Sequence, residues 1–154
     1  MFKKIMLAAF VCTIIATEAF SQTYEYKILT SVESIVPMGI GRSRIIENTT
    51  EVDASLYTTS REGGTDSSQG KVRRKDLKVD DLNETKLLNF FSGVGINFQN
   101  IASNDAMIAS ALNTWTAEGW QLAFVTSGVE SDAGKGDGNG LFVTRYIFKR
   151  MKQM

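Results

Sequence analysis

The run Gly39-Ile40-Gly41-Arg42-Ser43-Arg44 holds the residue types best suited to gripping an anion. Flanking glycines let successive amide groups turn toward one acceptor. A guanidinium offers a planar fork that matches carboxylate or phosphate oxygens. In an extended chain Arg42 and Arg44 stand two residues apart and share a face. Gly39, Gly41, Arg42 and Arg44 are therefore the candidate ligand-binding set. The plainer reading is a bend followed by an edge strand whose arginines stay in solvent and discourage strand addition.

A second stretch, Asp132-Ala133-Gly134-Lys135-Gly136-Asp137-Gly138-Asn139-Gly140, invites two further readings. As a phosphate loop it fails, because Gly134-Lys135 is followed by glycine where a hydroxyl residue is needed. As an EF-hand it fails, since that loop needs glycine at its sixth position and a bidentate glutamate at its end. Glu130, Asp132 and Asp137 with nearby carbonyls stay as weak candidates for a looser calcium site. Against them stands a hairpin loop whose glycines serve backbone freedom. No metal or other cofactor is assigned.

Much chemistry is excluded outright. The chain has no histidine and one cysteine, Cys12. Imidazole proton shuttles, Ser-His-Asp triads and Cys/His zinc sites therefore have no residues to work with. The formal net charge of +0 leaves no electrostatic footprint for nucleic acid. Carboxylates alone can hydrolyse glycosidic bonds. Asp105 and Glu118 are candidates for such a role, but each is also explained by a place near a helix end. Aromatic side chains are plentiful, and an apolar or carbohydrate platform competes with the simpler expectation that most of them fill a small core.

These residues must be held by a scaffold, and residues 104–150 supply its plan. Met107, Ile108, Ala111, Leu112 and Trp115 recur at helical spacing. Ser103 or Asn104 is the expected cap, with Asp105 at the positive end of the helix dipole. Gly119 is expected in a left-handed conformation that ends the helix, with Trp120 packing back onto Trp115. The runs after Gly119 and from Leu141 to Phe148 read as strands. Tyr24-Glu25-Tyr26-Lys27-Ile28-Leu29 alternates as a first strand, with Tyr24, Tyr26 and Ile28 on one face. Residues 42–48 read as a second strand; residues 85–91 suit a buried strand or a short helix, with a strand pairing with 42–48 the favoured expectation. Residues 49–84 are polar and read as a flexible insertion, and residues 92–98 as a loop into the helix.

The N-terminus reads as an address. Lys3 and Lys4 precede an apolar stretch, and Ala19-Phe20-Ser21 offers small residues where a signal peptidase reads. The expectation is a signal peptide at 1–21, a cut before Gln22 and a secreted or periplasmic domain at 22–154. The apolar run is too short for a transmembrane anchor. Removing it also removes Cys12, so the exported chain would hold no disulfide.

Tyr24-x-Tyr26-Lys27, then Ala117-Glu118-Gly119-Trp120-x-Leu122, then Tyr146-Ile147-Phe148-Lys149-Arg150 resembles a short bacterial domain-of-unknown-function family. That family's pattern is a Y-E-Y-K strand, a helix, an E-G-W-x-L strand and a closing strand ending in K-R. The resemblance implies a small antiparallel sheet with one helix packed on it, and carries no catalytic residues. Residues 31–103 and 128–140 would be elaborations on it.

The expected fold is α+β, an antiparallel sheet of four to five strands with one main helix on one face. The expected function is a non-catalytic binding or interaction module of the cell envelope, taking a small ligand or an envelope protein. A carboxylate-dependent hydrolase is the alternative, and assembly of copies through strand edges is a third reading.

Overall fold

The computed structural model describes residues 23–35, 42–130 and 140–152. The expected signal peptide, Gly39, Gly41, Asp132 and Asp137 lie outside them. An antiparallel five-stranded sheet carries one main helix, as the sequence predicts. In chain order the sheet strands are β1 (Tyr24–Ser34), β2 (Arg44–Asn48), β3 (Leu82–Lys86), β6 (Gln121–Val129) and β7 (Leu141–Met151). Their order across the sheet is β3-β2-β1-β7-β6. Two-residue strands β4 (Phe91–Ser92) and β5 (Gly95–Ile96) form a separate small hairpin. A single-turn helix α1 (Arg74–Leu77) interrupts the long excursion between β2 and β3, and α2 (Phe98–Ala117) is the main helix.

The central pair, β1 and β7, runs in unbroken register from Tyr24 opposite Met151 to Ser34 opposite Leu141. β3 pairs with β2 as expected, but it occupies 82–86 rather than 85–91. Leu87 then turns inward to become one of the most buried side chains, and its amide donates to Ser43 O. Residues 92–98 are likewise more ordered than the loop expected there. They hold all of the β4–β5 hairpin but Phe91, and the first residue of α2.

The helix starts six residues earlier than Asn104. Asn97 is the cap, and its side chain accepts from the amides of Gln99 and Asn100. Asp105 therefore lies inside the helix, away from the dipole's positive end. The C-terminus is as expected. Gly119 has φ +85°. Its amide donates to Thr116 O, and the Trp120 amide donates to Trp115 O, both at 3.1 Å. That pair of bonds is the Schellman arrangement, which satisfies the last carbonyls and returns the chain toward the helix.

Trp115 and Trp120 are both buried, in a core with Leu29, Ile45, Leu87, Ile108 and Phe148. Trp115 meets Phe148 edge to face, with ring centroids 5.0 Å apart. The buried stripe of α2 is Asn104, Ile108 and Trp115, with Ala111 and Leu112 at its margin. Met107 is exposed.

Candidate functional site

Which face of the sheet receives α2 decides what is left for binding. Along β1 the helix takes Glu25, Lys27, Leu29, Ser31 and Glu33. Leu29, Ser31 and Glu33 are buried, and the Lys27 ammonium lies 4.0 Å from the Trp115 ring centroid. Four of the charges on this face are matched in pairs. Lys27 bonds Glu47 at 2.6 Å, and Arg150 bonds Glu25 at 2.8 Å. Arg150 also donates to Glu118 O and lies over the Trp120 ring, tying β7 to the end of the helix. A guanidinium suits this place because it satisfies a helix-end carbonyl and stacks on an indole at once.

Along β1 the opposite face is the more apolar one, and among the described residues nothing covers it. Register places Ile28, Ile147 and Phe124 in one row across β1, β7 and β6, and Val32 and Val143 in another. Tyr26 is 64% exposed and Phe124 62%. Lys149 stands over the Tyr24 ring at 4.9 Å. The expectation that most aromatics fill the core is thus corrected. Trp115, Trp120 and Phe148 do so, whereas Tyr24, Tyr26, Phe98 and Phe124 are exposed.

At one end of the uncovered face is a hollow of about 460 Å³ lined by Val32, Arg42, Arg44, Ile46, Glu84, Glu130 and Leu141. β1, β2 and β7 supply its aliphatic floor through Val32, Ile46 and Leu141. Arg42 precedes β2 and Arg44 opens it, so the two predicted arginines converge on one space. Arg44 is held by Glu84 across the β2–β3 pair, with Nη1 2.6 Å from Oε1. Glu130, at the end of β6, closes the far rim. A volume of this size is in the ordinary range for a small-molecule site, about 300–1,000 Å³. Sequence reasoning missed Val32, Ile46, Glu84 and Leu141, because only the strand order brings them together.

Glu130 is the one described member of the weak calcium set, and its neighbours in the hollow include two cationic groups. Among the described residues no group of three or more acidic, histidine or cysteine side chains could hold a metal ion. Asp105 and Glu118 do not line the hollow. Among the described residues no helix is long and apolar enough to cross a membrane.

A separate polar cluster lies under α2. Asn104, 1% exposed, accepts from the Leu88 amide at 2.7 Å and donates to Leu88 O at 2.8 Å and to Glu33 Oε1 at 3.0 Å. Burial raises the Glu33 carboxyl above its ordinary value; the Asn104 bond opposes this and the charge of Asp105 adds to it. Tyr146 is raised as well, first by burial and then by the charges of Glu33 and Asp105. Glu33 and Asn104 line no part of the hollow described above. Asn104 in particular acts as a clamp: it satisfies the N–H and the C=O of Leu88, in the connector after β3.

The fold and hollow define a class, an α+β module with a half-covered sheet. Comparison with family models, curated proteins and solved structures finds no match to this chain.

Proposed function

We propose that the protein is an exported binding module of the cell envelope, and that its uncovered sheet face carries the ligand site. The observation that supports this most is the convergence of Arg42 and Arg44 on a hollow with an aliphatic floor. The guanidinium groups suit a carboxylate or phosphate. Val32, Ile46 and Leu141 suit an apolar body. Glu84 and Glu130 on the same rim repel a polyanion, so a small amphiphile carrying both signs of charge fits better. The order of a Y-E-Y-K strand, a helix and two closing strands supports reading the chain as an elaborated relative of the short bacterial family it resembles. The proposed export rests on the basic, apolar and small-residue pattern of residues 1–21.

The test is an amide NMR titration with leucyl-leucine, a zwitterion with an apolar body, and with inorganic phosphate. The expected result is saturable shifts at Val32, Arg42, Arg44 and Ile46 with the dipeptide, lost in the Arg42→Gln/Arg44→Gln variant. Phosphate alone is expected to bind more weakly at the same amides. No saturable shift around the hollow, or shifts indifferent to the double substitution, would overturn the reading.

A further inference from the structure

The two edges of the sheet are built differently. At one edge β3 is five residues long and carries Glu84 and Lys86, the usual protection against strand addition. At the other, β6 is nine residues long, Gln-Leu-Ala-Phe-Val-Thr-Ser-Gly-Val, with no charge and no proline. All nine residues are exposed. The apolar ones project on both sides: Phe124 on the uncovered face, Leu122 and Val125 on the face that α2 only partly reaches. A register shift sits between Leu122 and Phe124, leaving 124–129 as regular strand.

The backbone direction follows from one bond. The Glu130 amide donates to Leu141 O on β7 at 2.9 Å. Groups on a strand alternate sides with period two. Val125, Ser127 and Val129 therefore turn their N–H and C=O groups away from β7, toward an edge that no strand of the described residues pairs with.

We propose that this edge pairs with a second copy of the chain, β6 against β6, antiparallel about a two-fold axis at Ser127. That register places Val125 of each chain opposite Val129 of the other, a β-branched pair repeated on both sides of the axis. The strand is self-complementary in this register, its valines meeting valines and no like charges facing each other, and this argues for a second copy as the occupant. The joined sheet would have ten strands. An edge contact buries less than the roughly 800 Å² per partner of a standard interface. The association is therefore reversible and concentration-dependent.

Sedimentation velocity of the purified protein from low to high concentration reads it directly. The expected result is a monomer that shifts to dimer, with slowed amide exchange at Val125, Ser127 and Val129 as the dimer fills. Val125→Lys/Ser127→Lys, which sets like charges across the axis, is expected to remain monomeric with an otherwise unchanged amide spectrum. Should that variant unfold, Ser127→Cys decides: oxidation is expected to link two copies, and Lys86→Cys on the protected edge is not. A wild type that stays monomeric throughout, a lysine variant that dimerises equally well, or equal crosslinking at both edges overturns the proposal.

Discussion

Replacing Asn104 with alanine tests the idea that a buried amide fastens the insertion to the helix. The side chain holds both polar groups of the Leu88 peptide, at 2.7 and 2.8 Å, and the Glu33 carboxyl at 3.0 Å. Each group left without a partner in a dry site costs about 1–3 kcal/mol. The Leu88 bonds are only partly buried, so water reaches some of the released groups and the lower half of that range applies. Alanine is the better helix former by roughly 0.5 kcal/mol, which offsets a little. Summed over the three groups and less that offset, the expected loss is about 2.5–5.5 kcal/mol, or roughly 8–20 °C in melting temperature for a domain of this size. Urea unfolding at neutral pH measures it, because Trp115 and Trp120 are buried and report through fluorescence. Amide exchange at Leu88 should quicken beyond the global loss. Asn104→Asp keeps the acceptor for the Leu88 amide but sets a charge beside Glu33. It should be worse than alanine at neutral pH and recover on acidification. An Asn104→Ala protein within about 0.5 kcal/mol of wild type, the range of an ordinary surface change, would refute the clamp.

Gly119→Ala should lower stability by about 1–2 kcal/mol, because φ is +85° and a Cβ there meets only Arg150 Cδ at an ordinary 3.8 Å; the cost is backbone strain, read by the same urea unfolding. Glu33→Gln should flatten the pH dependence of stability. With the folded carboxyl raised, the native state holds more protons than the unfolded chain between the ordinary value of 4.5 and the raised one, so stability falls as pH rises through that window. The variant keeps the acceptor for Asn104 and should be more stable than wild type at neutral pH, the gap closing in acid; a gap independent of pH counts against a raised carboxyl. Arg44→Gln should change stability by less than about 1 kcal/mol, since the Arg44–Glu84 pair is exposed, so any loss of ligand shifts in that variant reports the site and not the fold.

Local signals carried most of what the sequence made legible. Gly119 after an apolar period, with a tryptophan on either side, specifies a helix end within one turn, and the structure has that end. The helix start was misread for an equally physical reason. Asn104 has the chemistry of a cap, but the same chemistry serves a buried clamp, and only the distant position of Leu88 distinguishes them. Asn97, the real cap, sits beside Gly95 and before exposed Phe98, where no apolar period announces a helix. Arg42 and Arg44 could be singled out by type and spacing. Their hollow could not, because Val32, Glu84 and Leu141 reach it from strands far apart in sequence.

The alternation in β1 also leaves open which side becomes the core, since both sides hold large residues. Apolar content points to Tyr24, Tyr26 and Ile28, yet α2 docks over Glu25, Lys27 and Leu29. Lys27 and Glu25 tolerate this because Glu47 and Arg150 neutralise them, while the Lys27 ammonium lies over Trp115 and the Arg150 guanidinium over Trp120. The charged side is thus made fit for burial by partners supplied from β2 and β7, while nothing among the described residues covers the aromatic side. An uncovered row of Ile28, Ile147 and Phe124 carries a hydrophobic cost that a face serving stability alone would avoid. Beside that row lie an amphiphilic hollow and an uncharged edge strand. The row and the hollow share the face that α2 leaves open, and the edge strand borders it; the proposed ligand site draws on the first two and the proposed pairing on the third.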